Sequence, residues 1–182
     1  MLKSTLLLGI ICFSSLCLCP NQCVAQSENL KGIGFVVLLC SVDKELTDAG
    51  VDKNAIQTSA ELKMRSAGII VVDDNHKMSK AEIASSAKLK CIAVMLTVHG
   101  LKIENTPLCA FDAFMDASEG AKLLHNPNVY VPVTFWSSGG SVGYFGTSRS
   151  DLVKTYTDNL TDAFCNDYLK ANPKPSPMMQ VP

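Results

Sequence analysis

The chain is poor in the residues that most often carry catalysis. Of its 182 residues only 3 are histidine, and none of these follows His125. That absence decides the one catalytic spacing present. Gly139-Gly140-Ser141-Val142-Gly143 matches G-x-S-x-G, but hydrolases of that kind place their histidine after the serine. Charge is sparse as well: 18% of residues are charged, runs of one sign are missing, and the formal net charge is -1. Such a surface offers no footprint for nucleic acid or anionic lipid. No apolar run reaches the roughly 20 residues that a membrane-spanning helix needs. Gly32-Ile33-Gly34 is a fragment of a dinucleotide motif, yet it precedes its strand instead of following one. Asp73, Asp74 and His76 lack both the paired histidines of zinc sites and the alternating acids of calcium loops. Neither a metal nor a cofactor is expected.

What the chain does have begins at its amino terminus. Lys3, an apolar run from Leu6 to Leu18 and then Cys23-Val24-Ala25-Gln26 form the pattern of a secretory signal peptide over residues 1–25. The expected location is periplasmic or secreted, with a mature chain that starts near Gln26 and carries no transmembrane helix. Lipoprotein anchoring through Cys17, Cys19 or Cys23 is disfavoured, because Leu16, Leu18 and Gln22 stand where a small residue is normally needed. Beyond the cleavage point lie Cys40, Cys91, Cys109 and Cys165, too widely spaced for a C-x-x-C redox or zinc motif. In an oxidising compartment an even number suggests disulfides, for which four cysteines allow 3 connectivities. Free cysteine is equally at home as a small buried hydrophobe. Both readings stay open.

Hydrophobic periodicity divides the rest into one domain over residues 30–171. Gly32–Cys40 is a nearly continuous apolar run, as expected of a strand covered on both faces. Leu46–Asp52 reads as a loop. Asn54, with Gln57 three places on, reads as a capping box before a helix whose Ile56, Ala60, Met64 and Ala67 share a face. Gly68 ends that helix, and Ile69–Val72 is a short strand. In Leu89–Leu101, residues Ile92, Val94, Leu96 and Val98 alternate with Cys91, Ala93, Met95, Thr97 and His99. Glu104-Asn105-Thr106-Pro107 turns a hairpin into Leu108–Ala117, and Val129–Trp136 follows with Pro132 marking an edge or bulge. Ser137–Gly146 reads as a glycine-rich loop. A helix from Asp151 to Ala171, capped by Ser150, carries Leu152, Tyr156, Leu160, Ala163, Phe164 and Tyr168 as its stripe. Residues 172–182, rich in proline, read as a disordered tail. The order predicts an α+β fold: a single mixed/antiparallel sheet of about five strands with two helices packed on one face.

Two candidate sites emerge. Trp136, Gly139, Gly140 and Tyr144 would flank a recognition surface if the glycine-rich segment is a loop, since aromatics beside adaptable backbone suit ligand binding. The competing reading packs Trp136 into the core. Cys109 and His99 flank the hairpin turn and could form a cysteine–histidine pair of the kind that activates a nucleophile. Asn159-Leu160-Thr161 is a glycosylation sequon, on the amphipathic face of a helix.

Three segments, Ala60–Ile69, Thr134–Gly139 and Phe164–Pro173, together resemble small secreted bacterial proteins of unknown function, whose pattern runs from an E-L-x-x-R-x-A-G-I helix end, through a T-x-W strand with following glycines, to a terminal F-x-N-D-Y-L helix. The element order is similar, more distantly, to the amino-terminal domain of TolB and related envelope-assembly lipoproteins. The resemblance implies a non-catalytic envelope protein whose partner is another envelope protein or envelope component, and it carries over no catalytic residue. The expected function is therefore an exported non-enzymatic binding module. A small exported enzyme using Cys109 and His99, and a ligand-binding module using the Trp136–Tyr144 segment, are the alternatives.

Overall fold

The computed structural model describes residues 27–72, 90–146 and 149–173. Residues 1–25, the Asp73-Asp74-His76 turn and the chain beyond Pro173 lie outside the described residues. The elements run β1 (Ile33–Val42), α1 (Lys44–Asp48), α2 (Lys53–Ser66), β2 (Ile70–Val72), β3 (Lys90–Lys102), β4 (Leu108–Leu123), β5 (Asn126–Gly146) and α3 (Asp151–Ala171). They build the expected α+β architecture, with one five-stranded mixed sheet in the order β2-β1-β3-β4-β5. β1 is parallel to β2 and to β3, whereas β3, β4 and β5 are antiparallel neighbours.

The alternation read from the sequence for β3 holds, whereas β1, expected to be covered on both faces, alternates buried Val36 and Leu38 with half-buried Phe35, Val37 and Leu39. Ile92, Val94, Leu96 and Val98 on β3, and Cys109, Phe111, Ala113, Met115 and Ala117 on β4, are buried. They join Val36 and Leu38 of β1 in one core beneath α2 and α3. Helix α2 contributes Ile56, Ala60 and Met64 to this core. Its cap differs from expectation: Asp52 is the N-cap, accepting from the backbone N–H of Asn54 at 2.9 Å and Ala55 at 3.1 Å. A carboxylate in that place satisfies two N–H groups that have no intrahelical partner. Gly68 stops the helix as expected, with φ +86.

Helix α3 spans the predicted residues, but its buried stripe is rotated. Val153, Thr157, Leu160, Thr161, Phe164 and Cys165 are buried, while Leu152, Tyr156 and Tyr168 are only partly so. Two threonines can face the core because each hydroxyl donates back to its own helix, Thr157 to Lys154 O and Thr161 to Thr157 O, both at 2.9 Å. Buried hydroxyls so satisfied avoid the desolvation cost of an unmade bond. Ser150 occupies the N-cap position without a capping hydrogen bond from its side chain.

Three further expectations are corrected. Lys44–Asp48, whose last three residues begin the segment read as a loop, forms α1, which buries Leu46 against the sheet. Asn172, expected at the head of a disordered tail, belongs to the fold: its Oδ1 accepts from Gly32 N at 2.8 Å and its Nδ2 donates to Leu30 O at 2.9 Å. It thereby ties the end of α3 to the entry of β1. Most consequentially, Ser137–Gly146 is strand and not loop. β5 continues to Gly146 and pairs with β4 from Leu108↔Gly146 onward. The G-x-S-x-G spacing lies inside that strand, so the strand–turn–helix context of a nucleophile elbow is absent.

Candidate functional site: the open face of the sheet

The helices cover one face of the sheet, and the side chains between the buried ones point the other way. On β1 these are Phe35, Val37 and Leu39, on β3 Cys91, Ala93, Met95, Thr97, His99 and Leu101, and on β4 Ala110, Asp112, Phe114, Asp116 and Ser118. Strand register brings Val142 opposite Asp112 and Tyr144 opposite Ala110. Much of this surface is apolar and accessible: Met95 is 44%, Leu101 58%, Val142 63% and Tyr144 63% exposed. Apolar side chains gathered on one face, in place of single ones scattered over the surface, make this face the candidate interaction surface.

The face has two depressions. One, of about 420 Å³, lies where β1, β3 and the β4–β5 arm meet, lined by Val37, Cys91, Ala93, Ser118, Tyr130 and Pro132 among others. The other, of about 310 Å³, lies at the opposite end of β3, where Asp43, His99, Leu101, Ala110, Asp112 and Val142 surround it. His99 and Asp112 are directly paired in the β3–β4 register. Nδ1 of His99 lies 3.3 Å from Oδ1 of Asp112, within ion-pair range but not aligned as a hydrogen bond, so that buried oxygen has no hydrogen-bond partner. The imidazole stands edge-on to Phe114 with ring centroids 5.9 Å apart. Asp43 is held by its Oδ2, which accepts from Gly100 N at 3.0 Å. Gly100 itself makes room for α1, since a Cβ there would lie 2.3 Å from Leu46 Cδ2.

The structure separates the residues that the sequence grouped. Trp136 is 1% exposed and points into the core, where its indole N–H donates to Asp167 at 3.1 Å and its ring meets Phe164 edge-on. Tyr144 faces the other way, on the open face. Gly139 and Gly140 sit at a β-bulge between them, with φ +126 and +91. A Cβ on Gly139 would come within 2.2 Å of Ala113 O, so this glycine answers to the neighbouring strand. Adding an unpaired residue to one strand of a pair in this way is what a bulge does. Cys109 and His99 are also parted: Cys109 is fully buried on the helix face, in register with Lys102, while His99 lies on the open face opposite Asp112. Backbone alternation sets them on opposite sides of one sheet, and no cysteine–histidine pair forms.

All four cysteines of the described chain are free, Cys91 exposed, Cys40 half-buried, Cys109 and Cys165 buried. Burial raises the Cys40 and Cys91 thiols. It pushes Cys165 up to about 11, with the Asp162 carboxylate adding to the effect. Lys53 near Cys40 and Lys63 near Cys165 act the other way, but burial outweighs them, so neither thiol is lowered as a reactive thiolate is. Among the described residues no group of three or more His, Cys, Asp or Glu side chains could hold a metal ion, and no helix is long and apolar enough to cross a membrane.

The residues that sequence reasoning missed are Asp112, Asp43 and Val142. The alternation of β4 puts Asp112 on the face away from the core, but nothing in the sequence sets it opposite His99 or brings the end of β1 beside them. No protein-family model matches the chain, and no curated protein does. Solved structures give low-identity likenesses. A variant of PelC from Paraburkholderia phytofirmans, described as a dodecamer, is 13% identical over 72% of this chain and 88% of its own, with a TM-score of 0.42. Another PelC dodecamer structure from that organism is 19% identical over 78% and 89% of the two chains, with a TM-score of 0.41. A neuraminyllactose-binding hemagglutinin homolog from Helicobacter pylori is 11% identical over 79% and 85%, with a TM-score of 0.44.

Proposed function

We propose that this chain is an exported, non-enzymatic binding module that holds a protein of the cell envelope against the open face of its sheet. The observation that carries the reading is that apolar face, with Met95, Leu101, Val142 and Tyr144 accessible where helices protect the other side. Burying such a surface stabilises a complex by roughly 25 cal/mol for each Å² removed from water, before the cost of association. The signal-peptide pattern of residues 1–25 and the resemblance to envelope proteins support the cellular setting. Separation of Cys109 from His99 removes the one nucleophile–base pair that the sequence offered.

The test is site-specific photo-crosslinking in cells. A benzophenone amino acid replaces Tyr144 on the open face in one strain and Leu62, 60% exposed on α2, in another. A discrete adduct from position 144 that is missing from position 62 supports the reading. Equal labelling from both positions, or none from 144, overturns it. Export is tested separately by intact-mass analysis of the periplasmic and medium fractions, where a chain beginning within a few residues of Gln26 is expected and a cytoplasmic chain retaining Met1 would refute it.

A further inference from the structure

We infer that the chain forms a symmetric dimer by pairing the outer edge of β5, over Ser141–Gly146, with the same segment of a second copy. This pairing does not depend on what the open face binds. β5 ends the sheet order, and among the described residues no strand lies beyond it. A free edge invites strand pairing, and proteins guard against it with short strands, charged side chains, prolines or bulges. The opposite edge is guarded by its length, since β2 has only 3 residues. The first half of β5 is guarded too: Pro127 and Pro132 have no N–H to offer, and Asn29 Nδ2 donates to Phe135 O at 3.2 Å. Beyond the bulge at Gly139 and Gly140 the strand runs to Gly146 with neither proline nor charge.

The strand's own symmetry names the occupant. Val142 and Tyr144 stand on the open face on either side of Gly143, each 63% exposed. An antiparallel copy with its two-fold axis at Gly143 sets Val142 of each chain opposite Tyr144 of the other. Aromatic and β-branched side chains make a favourable pair in that arrangement. Neighbouring registers do worse. A slip of one residue carries every side chain to the wrong face of the copy. A slip of two leaves Val142 opposite Gly146, or Tyr144 opposite Gly140. Because β5 carries no charged residue, it also meets itself without setting like charges opposite each other. On the helix side the same edge has a depression of about 250 Å³, lined by Gly143, Leu152, Tyr156 and Asn159 among others. The two-fold axis brings this depression toward its own copy. Such an isologous contact closes the assembly at two chains, and it sets both open faces on one side of a continuous sheet.

The experiment is sedimentation equilibrium on the purified chain alone, as cells process it, with charges exchanged across the junction. A reversible dimer is expected. Val142→Lys or Tyr144→Glu alone should raise its dissociation constant about tenfold or more, because the symmetric junction loses the pair twice. Mixing these two variants, or combining both changes in one chain, should return it to within about threefold of the parent, since lysine then faces glutamate. Val142→Lys with Tyr144→Lys should sediment as a monomer. A readout without substitutions is amide exchange: outward-pointing amides within Ser141–Gly146 should exchange about tenfold more slowly in concentrated than in dilute protein, as pairing protects them. A monomer at every concentration, a larger assembly, or a dimer indifferent to the charge exchange would overturn the inference. Each of those results leaves the open-face reading to its own test in cells. There, an adduct of twice the chain's mass from position 144 belongs to this dimer, and an adduct of any other mass to the envelope partner.

Discussion

The indole N–H of Trp136 donates to the carboxylate of Asp167 at 3.1 Å, joining the last strand to the last helix from inside the protein. The Trp136 ring simultaneously meets Phe164 edge-on, with centroids 5.0 Å apart and planes at 76°, the arrangement aromatic quadrupoles prefer. One tryptophan thus fixes both the height and the rotation of α3 over β5. Asp167→Ala leaves the indole donor buried without a partner, which should cost about 1–3 kcal/mol. Urea unfolding followed by the fluorescence of this single tryptophan measures it. A loss indistinguishable from surface scatter would mean that the bond does not hold the helix.

The bulge in β5 makes a sharper claim about glycine. At Gly139 both the backbone conformation and the space forbid a side chain, with Ala113 O 2.2 Å from where a Cβ would stand. Gly139→Ala should therefore lower stability by about 1–3 kcal/mol. Gly146→Ala, at a position open to solvent space, should stay within roughly 0.5 kcal/mol. If both substitutions were silent, the segment would be the adaptable loop that its composition suggested.

Thiol chemistry should follow burial. Cys91 is exposed and should react first with a thiol-specific disulfide reagent at neutral pH, with Cys40 slower. Cys165, whose thiol is pushed up to about 11 chiefly by burial, offers almost no thiolate near pH 8 and should react only on unfolding, together with Cys109. Rapid modification of all four cysteines in the native protein would contradict this packing.

Acid should loosen the contact between α2 and α3. Asp158 is partly buried, which by itself raises its pKa. The hydrogen bonds from Lys154 and Ser59, at 2.7 Å each, outweigh that and leave it below the usual value of 3.8. A carboxyl with a depressed folded-state pKa contributes its full stabilisation above the unfolded value, and loses it as pH falls through the folded one. Stability should thus decline on the acid side of the ordinary aspartate range, and Asp158→Asn should flatten that decline. Thermal melts of the two proteins across the acid range decide it.

Much of the fold was already legible along the chain, because alternation and helical period are properties of neighbouring residues. Ile92, Val94, Leu96 and Val98 declared a one-sided strand, and Ile56, Ala60 and Met64 a helix face, before any partner was known. The misreadings have a common cause. Ser137–Gly146 reads as a loop because glycine is costly within a strand when judged locally. Its Gly139 is instead required by the approach of Ala113 and Phe114 on the adjacent strand. The stripe of α3 was rotated because threonine looks polar in a sequence, although Thr157 and Thr161 satisfy their hydroxyls within their own helix.

The candidate site was less legible still. By itself the sequence determined which side chains leave the core, since that follows from a period of two along each strand. It could not determine which of them meet. Cys109 and His99 lie close along the hairpin yet fall on opposite faces. His99 and Asp112, 13 positions apart, fall opposite one another because the β3–β4 register sets them there. Asp43 joins them only because β1 lies parallel to β3, bringing the ends of both strands together. Pairing register and strand order are long-range properties, set by how the sheet packs beneath its helices, and they alone turned isolated polar residues into one depression.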